Sequence, residues 1–160
     1  MPEDEEKELM SPLVSTIETD RPPDEVFSYL TDPTRFPEWQ RDVVSVRMED
    51  GGPGLGSRFT TTRRIGRTDR TMTQEVTEYS PPTKWAVQGV AGPIRPHASI
   101  TVEPLDGGVR SRVTFKLGFD GYGIGVALVP MIRRMAAKSA PISLSTVKRL
   151  LDSGADRAAR

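Results

Sequence analysis

His97 is the sole histidine, and its side chain alone titrates near neutrality in ordinary surroundings, so acid–base chemistry at pH 7 would look to it first. Its place in the residue pattern argues against that role. If Ile100 and Val102 face the interior from one strand, then His97, Ser99, Thr101 and Glu103 face outward. A serine triad built on His97 has no G-x-S-x-G nucleophile elbow to support it. The chain has no cysteine, which excludes a disulfide, a thiolate nucleophile and a cysteine-ligated metal, and one histidine excludes a multi-histidine metal site. Glu75 and Glu78 fall on opposite faces of one expected strand and so do not form a carboxylate pair. The run Gly51-Gly52-Pro53-Gly54-Leu55-Gly56 lacks the phosphate-binding spacings and joins two strands, whereas a phosphate cradle would open a helix; a hairpin turn is expected there. These residues commit no catalytic group, and neither a metal nor a cofactor is expected.

Arg58, Arg63, Arg64, Arg67 and Arg70 gather within one expected hairpin and would attract phosphate or an anionic surface. Single-strand binding would interleave aromatic rings for stacking, and only Phe59 stands there, so a solvated basic hairpin and no nucleic-acid partner are expected. Arg63 would point inward if its strand alternates without a bulge, but its position near the hairpin end predicts a place in water. The formal net charge of zero, from 22 basic and 22 acidic groups, hides an asymmetry. Met1 to Met10 hold five acids and one base, which leaves 21 basic and 17 acidic groups in the body. Residues 1–10 therefore read as a solvated acidic tail, residues 11–153 as one domain, and residues 154–160 as a second tail. The most apolar stretch, Gly123 to Ile132, is about half the roughly 20 residues that a membrane span needs. With no amino-terminal basic and apolar signal, a cytoplasmic location is expected.

The elements that must position any site begin with a β-branched strand from Leu13 to Thr19. Asp20-Arg21-Pro22-Pro23 stops it and opens a helix over Pro23–Leu30, whose Val26, Phe27 and Leu30 share a face. Thr31-Asp32-Pro33 ends that helix, and a second short one carries Phe36 and Trp39 three residues apart, able to point the same way. Period-two alternation follows, with Val44, Val46 and Met48 on one face, then strands over Arg58–Ile65, Arg70–Tyr79, Lys84–Val90 and His97–Glu103. In the last strand Val109, Val113, Phe115, Leu117 and Phe119 alternate with Arg110, Arg112, Thr114 and Lys116. From Ile124 the spacing turns helical for about 28 residues, on the order of 40 Å, with kinks or boundaries expected at Pro130 and Pro141. An antiparallel sheet with one apolar face needs a cover, and this helix is the only element long enough.

Read together, Ile17-Glu18-Thr19-Asp20-Arg21-Pro22-Pro23-Asp24-Glu25-Val26-Phe27, Leu30-Thr31-Asp32-Pro33 and Phe36-Pro37-Glu38-Trp39 resemble the SRPBCC or START-like superfamily, in particular its polyketide cyclase/dehydrase and lipid-transport branch. The turn ending at Gly56, Val76-Thr77-Glu78-Tyr79-Ser80-Pro81-Pro82 and Val147-Lys148-Arg149-Leu150-Leu151-Asp152 continue the likeness, which spans about Leu13 to Ser153. The resemblance implies an α+β helix-grip fold: a curved antiparallel sheet of about seven strands wraps a long carboxy-terminal helix, with two short helices after the first strand. It also implies a cavity for apolar or aromatic small molecules, without specifying a reaction.

Alternation places Phe59, Trp85, Val87, Ile100, Val102, Val113, Phe115 and Leu117 on the inner face, and the helix adds Leu128, Met131, Ile132 and Met135. Thr61, Ser111 and Ser139 share these faces and are candidate polar guides for a guest, although ordinary side-chain to backbone bonding would account for them equally. The expected partner is a hydrophobic small molecule, lipid or polyketide-like aromatic, held under the last helix. The alternative is a cyclase or dehydratase that uses the same cavity. Oligomeric state has no signature in the sequence.

Overall fold

The computed structural model describes residues 11–49 and 54–158, with side chains to residue 154. The acidic segment Met1 to Met10 and the Gly51 to Pro53 part of the glycine-rich turn lie outside the described residues.

Seven strands form one antiparallel sheet in the order β1-β7-β6-β5-β4-β3-β2. They are β1 (Leu13–Thr19), β2 (Val43–Met48), β3 (Arg58–Ile65), β4 (Thr68–Ser80), β5 (Lys84–Gly89), β6 (Ile94–Leu105) and β7 (Arg110–Gly121). Between β1 and β2 stand α1 (Pro23–Leu30), a single 3-10 turn and α2 (Phe36–Trp39); α3 (Gly125–Ala158) ends the described chain. Every strand after β1 joins its sequence neighbour, and β1 closes the order by pairing with β7 from Leu13↔Leu117 to Thr19↔Ser111. This is the α+β helix-grip architecture.

Two irregularities re-aim side chains, as bulges do. On β2 the register shifts between Val43 and Ser45, so Val43 is buried and Val44 is exposed, whereas simple alternation placed Val44 inward with Val46 and Met48. On β4 the shift between Val76 and Glu78 turns Glu78 to the outer face that Glu75 already occupies, correcting the expectation that the two face opposite ways. Glu75 meets Arg58 at 3.5 Å and Glu78 meets Lys84 at 3.3 Å, so both carboxylates belong to surface ion pairs. Val109, expected on the inner face of β7, precedes the strand and is exposed.

The core joins Val26, Phe27 and Leu30 of α1 and Phe36 and Trp39 of α2 to Phe59, Val76, Trp85, Val87, Ile100, Val102 and Val113 of the sheet. Val147 and Leu151 of α3 complete it. Burying each such side chain contributes roughly 1.5–3 kcal/mol before cavity and strain effects. Rings meet edge to face: Phe36 lies 5.6 Å from Trp39 and 5.8 Å from Phe59 between centroids.

α3 runs for 34 residues through both Pro130 and Pro141, where kinks or segment boundaries were expected, as one helix without a boundary, and it continues past Ser153 to Ala158. Each proline still removes one N–H donor. Contacts with β1 and its end hold the helix in place. Lys148 Nζ donates to the Glu18 carbonyl at 2.8 Å, Asp152 accepts from the Asp20 amide at 3.0 Å, and Arg133 donates to the Ser11 carbonyl at 3.4 Å. At the other end a Cβ on Gly125 would collide with the Pro93 carbonyl, so glycine permits the helix to start against the β6 approach.

Candidate functional site

Between the inner face of the sheet and α3 lies a cavity of about 260 Å³. That is close to the lower end of small-molecule sites, about 300–1,000 Å³. Its sheet wall carries Trp85, Val87, Ile100, Phe115 and Leu117, and Phe36 and Trp39 of α2 close one end. Its helix wall is the stripe Ile132, Met135, Ala136, Ser139, Ala140, Ser143 and Leu144, spaced by one, three or four residues on a single side of α3. Four of these seven are alanine or serine. Short side chains on this side of the helix leave the interior hollow, where leucine at the same positions would fill it.

Of the residues proposed from sequence, Trp85, Val87, Ile100, Phe115, Leu117, Ile132 and Met135 border the cavity together, as does Ser139. Phe59, Thr61, Val102, Ser111 and Val113 are buried in the adjoining core, outside the lining. Leu128 and Met131 lie on an exposed flank of α3, also outside it. Among the polar guides, Ser139 donates to the Met135 carbonyl one turn back at 3.1 Å, the local bonding that such residues favour, and Ser111 donates to the distant Arg21 carbonyl at 2.7 Å. Thr61 Oγ1 is buried with no hydrogen-bond partner among the described residues. His97 stands on the outer face. A Cβ on its cross-strand neighbour Gly118 would collide with the imidazole, and Nε2 lies 3.8 Å from Asp120.

The polar end of the cavity escaped the sequence reading. Arg63 follows Phe59 and Thr61 in unbroken alternation and points inward, contrary to the expectation that it lies in water. Its Nη1 donates to both carboxylate oxygens of Asp42 at 3.1 Å, and its Nη2 donates to Gln40 Oε1 at 2.6 Å. Gln40, Asp42, Arg63 and the buried Gln74 all line the wall. Because Asp42 neutralises Arg63, the wall offers amide and guanidinium donors there without a net charge. The only sequence signal for this group was the parity of Arg63. Its partners lie 21 and 23 residues away, on the connection from α2 to β2.

The family described as polyketide cyclase / dehydrase and lipid transport matches residues 11–152. The chain belongs to that family. Solved structures share its fold. The Zhui aromatase/cyclase from Streptomyces sp. R1128 superposes with a TM-score of 0.71 at 14% identity, over 93% of this chain and 95% of that one. A START superfamily protein from Mycobacterium smegmatis gives 0.69 at 14% identity, over 89% and 98%. The di-domain ARO/CYC BexL gives 0.68 at 18% identity over 88% of this chain, which spans 46% of that longer protein. No curated protein matches. Among the described residues no helix is long and apolar enough to cross a membrane, and no cluster of three or more His, Asp or Glu side chains could hold a metal ion.

Proposed function

We propose that the protein binds one apolar small molecule, a lipid or a polyketide-like aromatic, in the cavity between the sheet and α3. The observation that carries this reading is a hollow walled by aromatic rings on one side and by short side chains on the other, with the amide and guanidinium donors of Gln40, Arg63 and Gln74 also in its lining. An extended apolar skeleton would lie along Trp85, Phe115 and the helix stripe. Its oxygen atoms would turn toward Gln40, Arg63 and Gln74, whose amide and guanidinium groups would pair them.

Native mass spectrometry of freshly purified protein, followed by denaturing extraction, tests the proposal. An apolar compound bound near one to one is the expected result. Failure of purified protein to take up any of a panel of fatty acids, phospholipids and polycyclic aromatics would overturn it.

Arg63 and Asp42 in the same wall favour a second reading, a cyclase or dehydratase acting on a polyketide-like chain. A guanidinium donor beside a bound carbonyl would stabilise charge developing on its oxygen, while the cavity would hold the chain folded. Conversion of a bound poly-β-carbonyl compound, followed by mass spectrometry and abolished by Arg63→Met, separates turnover from binding alone.

A further inference from the structure

On α3, Leu128, Met131, Met135, Lys138, Ile142 and Arg149 are spaced by three, four, three, four and seven residues, which puts them along one seam of the helix. All six are exposed, with Met131 at 53% and Met135 at 38%. Met135 also borders the cavity, so the seam passes over the cavity wall. The charge is as one-sided as the hydropathy: from Gly121 to Leu151 the sequence has five basic residues and no acidic one. Arg134, Lys138 and Arg149 have no ion-pair partner among the described residues, whereas Arg133 bonds to the Ser11 carbonyl before β1 and Lys148 to the Glu18 carbonyl within it.

We infer that this seam docks on an anionic lipid bilayer, with the cavity wall at Met135 turned toward it. A helix that presents apolar side chains flanked by cations satisfies both parts of such a surface at once, because the acyl boundary takes Leu128, Met131 and Ile142 while phosphate headgroups take Arg134, Lys138 and Arg149. A nucleic acid would pair the cations and leave the apolar residues desolvated against phosphate. A second copy of the chain in a two-fold contact would set the cations against themselves with no carboxylate between them. The docking itself does not depend on which molecule the cavity holds.

Cosedimentation of the full chain with extruded vesicles tests this. Wild-type protein is expected to bind phosphatidylglycerol-containing vesicles at low salt, to bind pure phosphatidylcholine vesicles weakly, and to be released at high salt as screening rises. The double variant Leu128→Glu with Met131→Glu should lose binding by about tenfold or more, because both side chains otherwise enter the apolar boundary. Arg134→Gln with Lys138→Gln, on exposed positions with no packing role, should weaken binding by about tenfold or more and flatten the salt dependence. Absence of binding to anionic vesicles at low salt overturns the proposal, as does unchanged binding by either double variant when its thermal unfolding matches wild type. Sedimentation of wild type as a dimer that Leu128→Glu with Met131→Glu dissociates would also overturn it, assigning the seam to a second copy.

Discussion

Arg63 and Asp42 are each about seven-tenths or more removed from water, with side-chain exposures of 23% and 31%, and they pair directly in the wall of a ligand-sized space. Taking Arg63 away leaves the Asp42 carboxylate partly desolvated and unpaired. Because neither group is fully buried, the loss falls between that of a surface pair and that of a core pair, so Arg63→Met should cost about 1–2 kcal/mol in urea denaturation. Adding Asp42→Asn should then cost less than it does in wild type, and a double-mutant cycle reads that coupling. Tyr29 supplies a second test. Its phenol is pushed up to about 12 from 10.0, first by burial and then by the nearby Glu38 charge, which Arg35 partly opposes. Its hydroxyl donates to Glu38 Oε1 at 3.3 Å. The folded state thus holds the proton more tightly than the unfolded chain does. The stability this contributes is complete below pH 10 and disappears as pH rises toward 12. Tyr29→Phe should therefore flatten the decline in stability across that window. An alkaline denaturation series in which wild type and variant run parallel would contradict the assignment.

At the scale of elements, the stripe of short residues on α3 determines how much space the helix leaves. Ala136→Leu would project into the cavity, and it should weaken uptake of a fluorescent apolar probe by about tenfold or more while keeping or slightly raising the melting temperature, as cavity filling does. A variant that binds the probe as wild type does would mean that the cavity under Ala136 is not where guests sit. Pro141 lies inside the helix with no amide hydrogen to donate, so Pro141→Ala should stabilise the protein by about 1–3 kcal/mol if the restored donor reaches the Ala137 carbonyl. Strand parity was legible in the sequence wherever the ladder runs unbroken. Register on β7 holds from Arg110 to Gly121, and Val113, Phe115 and Leu117 stand on its inner face. Parity failed at Val44 and Glu78, where one extra residue shifts the ladder and leaves no mark in composition. Helix existence was plain from spacing. The division of its apolar residues between the cavity wall, the core and an exposed flank was not, because that depends on how the helix is rotated over the sheet. Leu128 and Met131 therefore joined the expected wall, while Ala136 and Ala140 were passed over.

The whole molecule is built unevenly, and the unevenness is where binding would register. Leu144, Val147 and Leu151 anchor the carboxy-terminal half of α3 in the core, and Lys148 and Asp152 bond to β1 and its end. The half before it spans the cavity and keeps Leu128, Met131 and Met135 in contact with solvent. Local opening of a helix segment is opposed by the packing it would lose, so the two halves should differ in opening free energy although they form one continuous helix. Native-state hydrogen exchange is expected to show amides of residues 131–136 exchanging at least about tenfold faster than those of residues 143–151, a difference of about 1.4 kcal/mol or more. A guest in the cavity adds contacts to Ile132, Met135 and Ala136, and at the start of the second half only to Ser143 and Leu144, so it should slow exchange in the first half by mass action and leave residues 147–151 nearly unchanged. Uniform protection along α3 without a guest would show that the helix opens only with the whole fold. Equal slowing of both halves on binding would place the guest's stabilisation outside the space between Trp85 and Ala136. Faster exchange confined to the first half, removed by the guest, would identify that half of α3 as the part of the molecule that yields to admit it.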